Sequence, residues 1–122
     1  MDEINGIRLY ELPNYAFNKY RKITKGNINI SHELARKKLT RNILLGRTIH
    51  KDSQCNQSII MYGYLKIRIN HTIDGRDVIT GIWNSDVSDP YWILHMKNYK
   101  KVSKKLGLDY KEDKKHVERK VL

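Results

Sequence analysis

The sequence predicts an α+β domain: an antiparallel sheet of three to five strands, with two N-terminal helices and a C-terminal helix packed mainly on one face. Three observations carry that prediction. Residues 31–46 place apolar side chains at helical spacing. Residues 59–70 alternate apolar and polar side chains, and residues 77–83 form a short apolar run rich in β-formers. Asp74-Gly75, between those two stretches, is a strong turn signal, because Gly accepts the positive φ that tight hairpins need. At 122 residues the chain is long enough for one domain with a real core. That domain is expected to occupy residues 1–108, followed by a charged tail over 109–122.

In chain order, Gly6 to Leu12 alternate over a short span and suit an edge strand, which Pro13-Asn14 breaks. Asn14 is placed to cap a short helix through about Ile23, in which Ala16 and Tyr20 share one side while Lys19 and Lys22 stay in water. Lys25-Gly26-Asn27 reads as a turn. The clearest helix then runs from Ser31, a suitable N-cap, to Gly46, a suitable C-cap. Ala35, Leu39 and Ile43 form its core stripe, flanked by Leu34 and Leu44. Residues 51–58 read as a polar loop that holds Cys55, the one cysteine of the chain. A disulfide within the chain and a thiol metal cluster are both excluded.

The stretch Ile59 to Asn70 organises the rest. Its odd positions (Ile59, Met61, Gly63, Leu65, Ile67, Ile69) suit a core face, while Tyr62, Tyr64, Lys66, Arg68 and Asn70 suit an outer one. Gly63 is where a bulge or corner would sit, making the stretch two strands sharing one sheet. Asp77 to Trp83 form the returning strand, with Trp83 expected in the core. Asp89-Pro90 is a helix-start signal, and Trp92, Ile93, Met96 and Tyr99 give the helix that follows an anchoring face to about Gly107.

Charge narrows the functional classes. Lys and Arg outnumber Asp and Glu by 24 to 13, for a net charge of +11. The excess lies in two blocks: residues 19–51 hold ten basic residues against one acidic, and residues 97–120 hold ten against four. Blocks of this kind draw polyanions through counterion release. On the second helix Arg36, Lys37, Lys38 and Arg41, with Arg47 just after it, have almost no acidic neighbours, so a phosphate-facing surface is expected there. On the central strand the outer positions combine rings that stack on bases with cations that hold phosphate. The plainer alternative is an antiparallel strand with a polar outside and a solubilising surface. Residues Arg36, Lys37, Arg41, Arg47, Tyr62, Tyr64 and Lys66 are therefore the candidate nucleic-acid contacts.

The five histidines are scattered and show no zinc-site spacing, and no phosphate loop, nucleophile elbow or paired carboxylates appear. No metal and no cofactor is expected. Nor does any apolar run approach a membrane span or a signal peptide, which points to a cytoplasmic protein. RNA cleavage through its own 2′-hydroxyl needs only a base, an acid and cations on the pentavalent phosphate, which His, Tyr, Arg and Lys supply.

The order of short helix, basic helix and β-meander, with Ala16, Arg21, Leu44-Leu45-Gly46 and Ile79-Thr80, resembles the small bacterial toxin-type ribonucleases of the broad RelE, barnase, EndoU and colicin-nuclease superfamily. The similarity covers roughly residues 14–84 and rests on pattern more than identities. It implies a metal-independent endoribonuclease acting on RNA, with the ribosome and a cognate acidic inhibitor protein as further partners. Members often carry His before the first-helix Ala, where this chain has Tyr15. The acid-base role would then fall to Tyr15, His32 or His71, with Thr80 as the family Thr and Arg68 or Lys66 as the phosphate cation. Two readings stand beside it: a non-catalytic nucleic-acid or ribonucleoprotein binder, and a phage-type regulator docking on an acidic protein.

Overall fold

A computed structural model describes residues 3–24, 26–89 and 96–108. The chain opens with a minimal hairpin, β1 (Glu3–Ile4) and β2 (Ile7–Arg8). Asn5 and Gly6 link them, both at positive φ (49° and 83°), as a type I′ turn requires. The expected edge strand is thus shorter than residues 6–12. It is continued by a single parallel bridge, where Glu11 N donates to Asp77 O and Ile79 N donates to Glu11 O, both at 2.9 Å.

Helix α1 (Asn14–Ile23) follows, with Asn14 its first residue and Pro13 at the cap position, making no side-chain cap bond. Proline suits that place because the helix needs no N–H from it. Helix α2 (His32–Leu45) is capped as expected: Ser31 Oγ accepts from Leu34 N at 3.1 Å. Its buried stripe is Ala35, Leu39 and Ile43, whereas Leu34 and Leu44 are exposed. Those two fall outside the arc that the sheet covers.

Strand β3 (Arg47–Asp52) begins directly after Gly46 and pairs antiparallel with β4 (Gln57–Asn70). The sequence did not announce β3, because its six residues are mostly polar and nearly all exposed. The loop over 51–58 shrinks to a turn at 53–56, where Asp52 Oδ1 accepts from the backbone N–H of Gln54 and Cys55. β5 (Val78–Asp89) pairs with the other side of β4, giving the order β3-β4-β5.

β4 is one extended run, yet its ends touch: His71 N donates to Asn56 O at 2.8 Å. A straight 14-residue strand would hold its ends roughly 43 Å apart. The run therefore doubles back at Gly63, whose φ is +58°, while Tyr64 stays at negative φ, as in a turn of type II′. Burial switches phase at the same point: Ser58, Ile60 and Tyr62 are buried before it, and Leu65, Ile67 and Ile69 after it. The first limb carries β3 and the second carries β5. Gly63 is thus the corner between two limbs of one sheet.

One side of this sheet makes the main core. Ile60, Leu65, Ile67, Ile69, Ile79 and Ile82 pack with Ala16 and Tyr20 of α1 and with Ala35, Leu39 and Ile43 of α2. Each fully buried aliphatic here contributes on the order of 2 kcal/mol by leaving water. The third helix, α3 (Met96–Lys105), lies against α2 at the edge of this core. Its Tyr99 packs with Leu45 and Tyr62, and Leu106 packs with Leu9. Asp89 ends β5 with its carboxylate held by Arg47, and the helix start expected at Asp89-Pro90 falls on residues outside those described. Trp92, Ile93 and the tail 109–122 lie outside the described residues.

Candidate nucleic-acid interface

The second side of the sheet receives no helix core residue among those described. Register assigns it two rows. In one, Arg47 faces Met61 and Lys66 faces Trp83; in the other, His50 faces Ile59 and Arg68 faces Gly81. Folding β4 back at Gly63 brings Met61 beside Lys66 and Ile59 beside Arg68, which joins each pair into a row across the sheet. Cations therefore flank an apolar floor, with an indole at one end.

Arg68 is the fixed point of this face. Its Nε donates to Thr80 Oγ1 and its Nη2 to Thr80 O, both at 3.1 Å. Thr80 Oγ1 in turn donates to Asn70 Oδ1 at 3.1 Å. Thr80 can reach because it is the extra residue of a β-bulge: Arg68 pairs with Gly81, but Ile69 pairs with Ile79. A guanidinium held in place by neutral groups suits the forked grip of a phosphate. Trp83, expected in the core, is half-buried on this face instead, its ring lying over Gly81. Tyr64 and Lys66 are also half-buried.

The other predicted residues part company with this face. Tyr62, expected outside, is 1% exposed and packs with Tyr99, because the corner at Gly63 reverses the alternation. Arg41 is 2% exposed; its guanidinium lies 5.0 Å over the Tyr99 ring and donates to Asn42 Oδ1. Arg36 Nε donates to Tyr10 O at 2.6 Å and Lys37 pairs with Glu33 at 3.4 Å, while Arg47 stays on the face by register but spends its charge on Asp89, at 2.5 Å. The basic helix is thus largely occupied in holding the fold, including an i,i+4 pair that its composition argued against. Of its block, Arg36 straps the segment after β2 and Arg41 ties α2 to α3.

The histidines separate as well. His32 Nε2 lies 2.7 Å from Leu12 O, with its ring edge-on to Phe17, which joins the starts of α1 and α2. Tyr15 is 60% exposed on α1. Strand alternation turns His71 to the side opposite Arg68. There its Nε2 is 2.8 Å from Ser58 Oγ and its Nδ1 is 3.1 Å from Asp77 Oδ2. Those distances suit a nucleophilic triad, but the exposure is reversed: Ser58 is 5% exposed, while His71 and Asp77 are about one third exposed. A nucleophile must meet its substrate, so this row reads as a clamp across the strand ends. Sequence reasoning missed Ser58, Asp77, His50 and Trp83; strand register alone brings them into place.

Nearby, Asp77 borders a cleft of about 280 Å³ with Arg8, Tyr10 and Leu44. Burial, and then the charge of Asp77, push the Tyr10 phenol above its ordinary pKa. The cleft is at the small end for a ligand pocket. Among the described residues no group of His, Cys, Asp and Glu could hold a metal, and no helix is long and apolar enough to cross a membrane.

Comparison with known proteins adds one finding. No curated protein and no solved structure matches, so nothing there ties the chain to the toxin-type ribonucleases. A family model described as YorE matches residues 10–105, which takes in both main helices, the sheet and α3. With well over half of its length matched, the chain belongs to the YorE family.

Proposed function

We propose that this protein binds RNA, or another nucleic acid, through the face of its sheet that receives no helix core residue among those described. The observation that carries the reading is Arg68: a guanidinium on a rigid strand, oriented by Thr80, in rows that also hold Lys66, His50 and the Trp83 ring. Cations on such a face grip phosphate, and the half-buried Trp83 ring beside them suits the flat face of a base. The net charge of +11 would speed encounter with any polyanion.

A second reading is metal-independent cleavage of that RNA through its 2′-hydroxyl. It is favoured by the contact between Arg68 and Thr80, the two positions to which the ribonuclease resemblance assigns the phosphate cation and the Thr. Against it stands the division of the acid-base candidates, with His71, His32 and Tyr15 all away from Arg68. Incubating the protein with labelled total RNA in EDTA separates the two. Binding alone predicts intact RNA that shifts on a native gel and is released by Arg68→Ala. Cleavage predicts discrete fragments with cyclic-phosphate ends, also lost in Arg68→Ala. If neither a shift nor fragments appear, both readings fail, and a regulator docking on an acidic protein becomes the better account.

A further inference from the structure

We infer that Trp83, Gly81 and Arg68 form a subsite for an unpaired base and its adjoining phosphate, so that the face selects single-stranded over double-stranded nucleic acid. The inference rests on the nucleic-acid reading above and names the class of partner within it. Gly81 is the key to the geometry. A Cβ placed there would come within 2.8 Å of Trp83 Cζ3 and 3.4 Å of Arg68 Cζ and Nε. The indole and the guanidinium therefore meet over the one position in the row that has no side chain. An aromatic plane beside a forked cation is the pairing that a nucleotide offers in complement, as base and phosphate.

Neighbouring positions extend the subsite. Lys66 is the register partner of Trp83, and Arg68 is that of Gly81. Two residues apart on one strand, the cations stand roughly 6.6 Å from each other on the same face. A duplex offers phosphates to such cations, but its bases are stacked on one another and closed to the indole. A ring set into the middle of a sheet row is no wedge to unstack them. Single strands present free base faces at no such cost.

Intrinsic fluorescence reads this directly, because the chain has two tryptophans, Trp83 and Trp92. The probes are a ten-nucleotide unstructured RNA, the same RNA annealed to its complement, and inorganic polyphosphate. With Trp92→Phe, leaving Trp83 as the reporter, the single strand should quench emission and the duplex and polyphosphate should not. With Trp83→Phe the quenching should disappear. Trp83→Ala should weaken single-strand binding by about ten- to a hundred-fold and leave duplex binding unchanged. Gly81→Ala, which keeps the ring and both cations but displaces the indole, should also weaken the single strand selectively. Circular dichroism checks that each variant is folded, and the Trp83→Phe and Gly81→Ala results stand independently of one another. Equal binding of single strand and duplex without quenching would overturn the inference and leave the nucleic-acid reading intact. Polyphosphate competing as well as RNA in the folded wild type would overturn it too. No binding of either nucleic acid would remove both.

Discussion

Gly46→Ala is the most exacting test of how the helices meet the sheet. Gly46 has φ −77° and ψ 175°, a conformation that alanine adopts freely, so backbone strain plays no part. The difficulty is space. A Cβ there would lie 2.6 Å from Ile60 Cγ2, 2.6 Å from Met61 O and 2.9 Å from Asn42 O. Two of those atoms are backbone oxygens, one on β4 and one accepting the last helical hydrogen bond of α2, so neither can rotate aside. Overpacking costs about 1–3 kcal/mol, and fixed neighbours place this case near the upper end. Replacing glycine also removes freedom from the unfolded chain, which returns about 0.4–1 kcal/mol. The net loss is then about 2 kcal/mol, or about 8 °C in Tm for a domain of this size. Urea and thermal unfolding followed by circular dichroism measure it, with an unchanged m-value as the sign that two-state unfolding persists. Gly107→Ala is the contrast: no atom lies within 4 Å of its Cβ, and the cost is the positive φ of 74° alone, about 1–2 kcal/mol. The reasoning is refuted if Gly46→Ala lowers Tm by less than about 2 °C, well short of the roughly 8 °C expected.

Three further outcomes are expected. Thr80→Val removes the hydroxyl that orients Arg68 but no charge, so stability should fall by about 0.5–1.5 kcal/mol. RNA affinity should drop while its salt dependence stays that of the wild type, as fluorescence anisotropy would read. His71→Ala, which cuts the clamp between Ser58 and Asp77, should lower stability in urea titrations by about 1–3 kcal/mol and leave RNA binding intact. Loss of RNA binding in a folded His71→Ala protein would place the site on the wrong side of the sheet. Asp74 is held down to about 2, first by the Thr72 hydroxyl and then by the N–H groups of Arg76. A carboxyl depressed below its unfolded value of 3.8 adds stability above that value and loses it as pH falls towards 2. Asp74→Asn should flatten the acid limb between those limits in pH-dependent melting, and an unchanged limb would refute the turn's role there.

Local chemistry made much of the fold legible. Ser31 caps α2, the Ala35-Leu39-Ile43 stripe is buried, Asp74-Gly75 turns the chain, and Gly63 is the corner of the long β-stretch. Each follows from short-range rules. What the sequence concealed depends on pairing across distance. β3 has no apolar alternation because it borders the sheet with almost every side chain in water. The fate of Tyr62 turned on the corner at the very next residue, for one reversal of phase exchanges the faces of everything before it. The same limit governs the site. Arg68, Lys66 and Tyr64 were visible as outer-face residues, whereas His50 and Trp83 join them only through register with β4. Charge misled most on α2, where Arg36 and Arg41 face carbonyls, an amide and an aromatic ring that no count of acidic neighbours reveals.

The central claim is that Arg68 and its row grip a polyanion from the sheet face opposite the α1–α2 core, and the salt dependence of binding tests it most directly. Anisotropy of a labelled ten-nucleotide RNA would be followed from low to high salt for the wild type, Arg68→Ala and Arg36→Ala. Each phosphate neutralised on a single strand contributes about 0.7 to the slope of log affinity against log salt. Arg68→Ala should therefore flatten the slope by about 0.7, while Arg36→Ala, whose guanidinium is tied to backbone carbonyls, should leave it as in the wild type. A slope unmoved by Arg68→Ala, or moved instead by Arg36→Ala, would place the polyanion on the helices and contradict the account.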